Sequence, residues 1–201
     1  MSFDRFIAGG LFAAGLAVVV GYAITQGATP VMAQEDGPGP NLVIDVGGAT
    51  TGSIVIDLLP DVAPKHVAQI TGLAREGAYD GVVFHRVIDG FMAQTGDVEF
   101  GKGADTAQAG MGGSQLPDLP AEFSSLSFDR GVVGMARSQS PDSANSQFFI
   151  MFAPAPHLDG QYTIVGRVVS GMEVVDALKK GAGGSGAVTD PDVMTTVTVQ
   201  E

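Results

Sequence analysis

Short runs of β-branched and aromatic residues, each closed by Gly, Pro or Asp, dominate this chain and restrict it to a mainly antiparallel β architecture. They cover Asn41–Val46, Ser53–Leu58, Val82–Val87, Phe91–Thr95, Gly131–Ala136, Gln147–Phe152 and Tyr162–Val169, and a last strand runs through Val193, Val197 and Val199. The first two flank Gly47–Gly52 as a hairpin, with Ile54, Ile56 and Leu58 on one face. Only two stretches carry helical spacing. The first follows Pro60: Asp61 is the expected N-cap, Pro64 sits near the first helical position, and Val67, Ile70, Leu73 and Ala74 form an apolar face that ends at Gly77. Lys65 and His66 lie early in it, with His66 expected at the solvent surface. The second is Gly171–Lys180, closed by Gly181. Many short strands and two helices suit a closed barrel or a sandwich with helices over its openings, and we read a barrel.

Residues 1–40 stand outside that pattern. Phe6–Ile24 is an apolar run of 19 residues, preceded by Asp4 and Arg5 and followed by Val31-Met32-Ala33, which places small residues where a signal peptidase reads. The expectation is a secretory signal over residues 1–33. The alternative is an uncleaved membrane anchor through residues 6–24, because the run is just long enough to span a bilayer. Either way the remainder is expected outside the cytoplasm, periplasmic or anchored in the inner membrane and facing the periplasm. Residues 34–40 read as a polar linker and 41–201 as one domain, long enough for a single core. A formal charge of −12 argues against nucleic acid or an anionic membrane surface as partner. The absence of Cys fits an oxidising compartment but decides nothing, and a monomer is expected.

The chemistry concentrates in Phe84–Asp97. If Val82–Val87 is one strand, alternation sets Phe84 and Arg86 on one face and Val83, His85 and Val87 on the other, so Arg86 points into a groove and His85 is a structural hydrogen-bonding residue. A turn at Asp89-Gly90 returns Phe91, Met92 and Gln94 beside Arg86. Taken alone, the stretch equally suits a surface Arg near a hairpin whose Phe91 and Met92 are ordinary core. Between Gly96 and Pro120 the chain reads as a long irregular loop. Gly96–Lys102 matches most of a phosphate-binding loop, but Gly103 stands where the pattern needs Ser or Thr and no helix-forming run follows. The His residues show no metal-ligand spacing and no Gly-x-Ser-x-Gly elbow occurs, so no metal or cofactor is expected and hydrolase chemistry lacks support.

Taken together, Phe84-His85-Arg86-Val87-Ile88, Gly90–Asp97, Gly134-Met135-Ala136-Arg137, Asn145–Ile150 and Leu158-Asp159-Gly160 strongly resemble the cyclophilin family of peptidyl-prolyl cis-trans isomerases. The similarity runs from about Val43 to the C-terminus. The Arg137–Ala144 turn and the Gly-rich insertion before Leu116–Phe123 look like its bacterial branch. The resemblance implies an eight-stranded antiparallel barrel capped by two helices, with Arg86 as the catalytic arginine. It implies that Phe91, Met92, Phe149 and Leu158 line the proline pocket, that Gln94 and Gln147 bind substrate backbone, and that Ala136 and Arg137 hold the residues before the proline. His157 stands where many eukaryotic members carry a Trp important for cyclosporin, and shapes the pocket rim. Tyr162 stands where they carry a pocket His, and is expected to alter substrate preference without loss of activity. Val165 replaces a family Phe, a packing change.

These residue types suit the implied reaction. Rotation about a prolyl amide faces a barrier of about 18–20 kcal/mol and needs no covalent step. It is helped by a donor to the pyramidal nitrogen of the twisted state, a dry pocket that holds the ring, and hydrogen bonds that let the flanking carbonyl swing. A charged hydrogen bond is worth roughly 1.5–3 kcal/mol, so Arg86 alone cannot supply the rate. Two other functions remain open on sequence: a groove that holds proline-containing segments of exported proteins without turnover, and a barrel carrying a small apolar ligand. The first has little need of Arg86. The second needs an open interior, which bulky apolar residues would fill.

Overall fold

The computed structural model describes residues 37–201. The apolar run 6–24, the cleavage point after Ala33 and the start of the linker lie outside the described residues. Nine strands appear, β1 Asn41–Gly47, β2 Gly52–Leu58, β3 Val82–Val83, β4 Arg86–Ile88, β5 Met92–Thr95, β6 Val132–Met135, β7 Phe148–Met151, β8 Ile164–Ser170 and β9 Val193–Gln200. Helix α1, Pro64–Arg75, follows β2, and α2, Met172–Ala177, follows β8. All pairings are antiparallel, in one sheet of order β3-β9-β1-β2-β8-β6-β7-β5-β4. The two ends of this sheet are consecutive in the chain, separated by Phe84 and His85 alone, so the sheet curls until its ends meet. Counting Val82–Ile88 as one broken strand recovers the expected eight.

That break corrects the expectation of a continuous strand with Phe84 and Arg86 on one face. β3 pairs with β9 and β4 with β5, so the segment changes partner midway. Phe84 donates its N–H to the Asp192 carbonyl at 2.9 Å, and the His85 carbonyl accepts from Val188 at 3.1 Å. Phe84 is buried in the interior cluster while Arg86 lines a cavity outside it. His85 is also not the hydrogen-bonding residue expected: neither ring nitrogen finds a well-formed partner. Desolvation lowers its pKa, opposed by the Asp97 carboxylate and a loose contact to the Val83 backbone.

Alternation along the strands divides the apolar residues between two faces. Phe148 and Ile150 of β7 join Leu42, Ile44, Ile54, Ile56 and Val165 inside the barrel, and these bulky side chains fill it. A carrier cavity is thereby argued against. Phe149 and Met151 point the other way, into a second cluster with Met92, Phe128, Leu158 and Ile164 on the outer face. That outer cluster is the foundation of the site described below.

Helix α1 buries Val67, Ile70, Leu73 and Ala74 as its spacing predicts, packing on β9. It ends as expected: Gly77 N–H bonds Ala74 O and Ala78 N–H bonds Leu73 O, with Gly77 at φ +68. Its start differs. Asp61 is not the cap, and Ala63 at that place offers no side-chain bond. Glu122 does the work from across the fold, its carboxylate accepting from the Lys65 N–H at 3.1 Å and the His66 N–H at 3.2 Å. The same oxygen meets His66 Nδ1 at 2.7 Å, and His66 is fully buried, not solvated. Helix α2 stops at Ala177, short of Gly181, because Leu178 turns to extended backbone and buries its side chain.

Burial works against the Glu122 charge, but bonds from the His66 ring and from the His66 and Lys65 amides outweigh it and hold the carboxyl below its ordinary value. A depressed carboxyl pKa contributes stability that is present above the unfolded value, about 4.3, and is lost as pH falls through the folded value. Thermal melts are therefore expected to show a drop in Tm below about pH 4.5 that is smaller in Glu122→Gln. Equal drops in both proteins would assign the acid sensitivity elsewhere.

Candidate active site

The site is a row of side chains laid across four strands. Arg86 of β4 pairs with Gln94 of β5, Gln94 with Phe149 of β7, and Phe149 with Gly134 of β6. Ile88, Met92 and Met151 form the next row on the same face. Gly134 has no side chain for a steric reason: a Cβ there would lie 2.6 Å from ring carbons of Phe128 and Phe149. Those rings stack with centroids 5.8 Å apart, and Tyr162 meets Phe149 edge-on at 5.8 Å. The β4–β5 turn closes with Phe91 N–H on Ile88 O at 3.0 Å, and Gly90 holds the left-handed φ of +69° that it needs.

Above these rows lies an open cavity of about 200 Å³, lined by Arg86, Phe91, Met92, Gln94, Ala136, Arg137, Phe149, Leu158 and Tyr162. Residues expected to form the site are thus brought together from strands β4, β5 and β7 and from the segments that connect strands. Leu158 reaches it from a single 3₁₀ turn, Pro156–Leu158, which spacing did not announce. His157 does not line the cavity; it lies exposed beside it, stacked on Phe91 at 5.9 Å, a rim position. Gln147 lines the adjoining cavity.

Polar groups run along one wall as a chain. Arg86 donates from Nε to the Ser185 carbonyl at 3.0 Å and from Nη1 to Gln94 Oε1 at 3.2 Å. Gln94 Nε2 donates to Gln147 Oε1 at 2.9 Å, and Gln147 Nε2 to the Gly112 carbonyl at 2.8 Å. Two of the five guanidinium N–H donors are spent on holding Arg86, and its other donors remain for the cavity. Opposite, Arg137 lies over the Tyr162 ring at 4.3 Å and donates from Nε and Nη2 to Gln161 O at 3.2 and 3.0 Å. Two guanidinium groups, one carboxamide and an apolar, aromatic wall therefore face a space large enough for a small ring.

Residues 43–199 match the family described as cyclophilin type peptidyl-prolyl cis-trans isomerase. The chain belongs to that family. A Brucella suis protein named "Probable peptidyl-prolyl cis-trans isomerase" is 63% identical over 153 residues, covering 74% of this chain and 78% of its own. A peptidyl-prolyl cis-trans isomerase of Arabidopsis thaliana is 40% identical over 136 residues, 67% of this chain and 81% of its own. Among solved structures, a Cryptosporidium parvum cyclophilin crystallised in the presence of the dipeptide Ala-Pro aligns with TM-score 0.68 at 25% identity, over 80% of this chain and 99% of that one. A cyclophilin from Hirschia baltica aligns with TM-score 0.63 at 28% identity, over 79% and 76%.

This cyclophilin also has site elements that spacing left unmarked. The loop between β5 and β6 has no helix or strand up to Pro120, as expected, yet two side chains fold it. Buried Asp97 accepts from Glu99 and Phe100 through Oδ1, at 3.1 and 2.9 Å, and from Gly110 and Gly112 through Oδ2, at 2.7 and 2.9 Å. Asn145 accepts from Ser114 N–H at 2.8 Å and donates to Leu116 O at 2.9 Å. The loop so held walls a second cavity of about 390 Å³ and presents the Gly112 carbonyl to Gln147. Asp directly after a Gly-terminated strand was the available signal for an Asx-type turn; its longer bonds to Gly110 and Gly112 had none. Phe128 and the Ser185 carbonyl likewise come from loops far in sequence.

Proposed function

We propose that this cyclophilin speeds rotation about Xaa-Pro bonds in unfolded or exported proteins without a covalent step, with Arg86 donating to the nitrogen of the twisted amide. The observation that carries the reading is the fixed guanidinium at the edge of an apolar cavity, braced by Ser185 O and Gln94 with donors to spare. The proline ring sits against Phe91, Met92, Phe149, Leu158 and Tyr162, while Gln94, Gln147, Ala136 and Arg137 engage the backbone before it. His157 shapes the rim by stacking on Phe91. Tyr162 supplies both an aromatic wall and the platform for Arg137. Crystallisation of the Cryptosporidium protein with Ala-Pro supports a proline-containing ligand.

No single contact provides the rate. A charged hydrogen bond contributes roughly 1.5–3 kcal/mol against a barrier of about 18–20 kcal/mol. The rest comes from a pocket that fits the twisted amide better than either planar isomer, and from the pre-set Gln94–Gln147 pair, which costs no reorganisation at the moment of rotation. The deciding experiment is NMR exchange spectroscopy of a short Xaa-Pro peptide with the full chain. Catalysed exchange is expected; binding without acceleration would replace the isomerase with a holding module.

We also propose that the chain acts outside the cytoplasm, with residues 1–33 removed as a signal or residues 6–24 kept as an inner-membrane anchor, and assists folding there as a monomer. Both rest on the apolar run and the small residues at 31 and 33. N-terminal sequencing of protein recovered from periplasmic and membrane fractions distinguishes them.

A further inference from the structure

The cavity beside Arg86 is the first compartment of a longer trough. It shares Gln94, Ala136 and Arg137 with the second cavity, which in turn shares Glu99, Gly113 and Ser114 with a third of about 320 Å³. The third lies at the C-terminal end of α1, where Leu73, Ala78, Val98 and Leu116 supply an apolar wall. The shared residues set the three side by side along one face of the loop.

Three features mark this trough as a surface for extended chain. Met111 and Leu116, 80% and 45% exposed, are two of the four exposed large hydrophobics among the described residues, and they line the second and third compartments. Large apolar side chains left open beside a functional groove are contact surface in waiting. Gly113, on the wall between the two compartments, uses neither its N–H nor its C=O in a hydrogen bond within residues 37–201, so both are open to pairing with a passing strand. Finally, the compartments carry Glu76, Glu99 and Asp118 against Lys102 and Arg137, and Arg137 is engaged with Gln161 and Tyr162.

We propose that the substrate is read along this whole trough. An extended segment on one side of the proline passes Met111, pairs with the Gly113 backbone, and lodges a large apolar side chain against Leu73, Val98 and Leu116, with acidic residues disfavoured. The inference rests on the proline occupying the compartment beside Arg86 and narrows that function to a substrate class: unfolded segments that carry a large apolar residue, and not an acidic one, further along one flank of the proline.

The test is an NMR titration of the full chain with a four-residue Xaa-Pro peptide and with ten-residue peptides sharing its centre, Leu or Glu being scanned along each flank. Leu at one position on one flank is expected to tighten Kd about tenfold over the short peptide. Glu at that position should abolish the gain. Leu116→Ser and Val98→Ser should each return the Leu peptide most of the way to the short-peptide Kd. Both are expected to leave the short peptide's own Kd unchanged, and Leu116 is exposed enough that its loss does not threaten folding. A Kd indifferent to Leu position on both flanks, or a gain that survives both substitutions, overturns the proposal. Exchange of the short peptide in the same samples reports on the isomerase alone, so the two ideas fail separately.

Discussion

Arg86→Ala is expected to lower kcat/KM for an Xaa-Pro peptide by about 10- to 100-fold, the loss of one charged hydrogen bond made mainly in the twisted state. Most of the loss should fall on kcat, since the apolar wall that holds the ring is untouched. Folding should be nearly unaffected: the side chain is half-buried, and its pairing to Gln94 across β4 and β5 is a backbone matter. Arg86→Lys is expected to recover less than half of the loss on a logarithmic scale. A single ammonium cannot bond Ser185 O and Gln94 Oε1 together while still offering a donor to the substrate. Exchange spectroscopy with circular dichroism on the same samples checks both points. Wild-type exchange in Arg86→Ala would remove the donor from the mechanism and leave pocket fit as the whole of it.

Asp97→Ala carries the largest expected effect on stability. Four backbone N–H groups converge on this buried carboxylate, and no other side chain is placed to accept from them. Gly110 is exposed and Gly112 half-buried, so water can replace part of what is lost and the cost falls below the sum of four charged bonds. About 3 kcal/mol is the expected loss, a fall in Tm of roughly 6–12 °C for a domain of this size. Activity should fall with it, because the loop that Asp97 folds delivers the Gly112 carbonyl to Gln147 and so orients Gln94 and Arg86. Asp97→Asn should do intermediate damage: one oxygen still accepts, but the new amide group faces the Gly110 and Gly112 donors with donors of its own. Urea unfolding and kcat/KM together check this. A variant within about 0.5 kcal/mol of wild type would show that the loop is held by its other anchor, Asn145.

The sequence by itself determined the class of fold and most of the site, for a physical reason. Strand periodicity is local, and it assigns each side chain a face without knowledge of what lies opposite. Spacing and the Asp89-Gly90 turn set Phe91, Met92 and Gln94 beside Arg86, where the cavity has them, while Phe149 and Leu158, which also line it, were implied by the family resemblance and not by periodicity. Gly77 ended its helix where a left-handed residue was needed. What only the tertiary structure decided were contacts whose partners are distant in the chain. Glu122 caps α1 from 57 residues beyond Lys65 and draws His66 into the interior. Ser185, 99 residues after Arg86, supplies the carbonyl that steers the guanidinium. The barrel also closes by switching the partner of one segment at Phe84-His85, which no periodicity within that segment could foretell. Local spacing encodes which way a side chain faces; what it meets there depends on closing loops of many residues, and that is settled only when the whole sheet has curled.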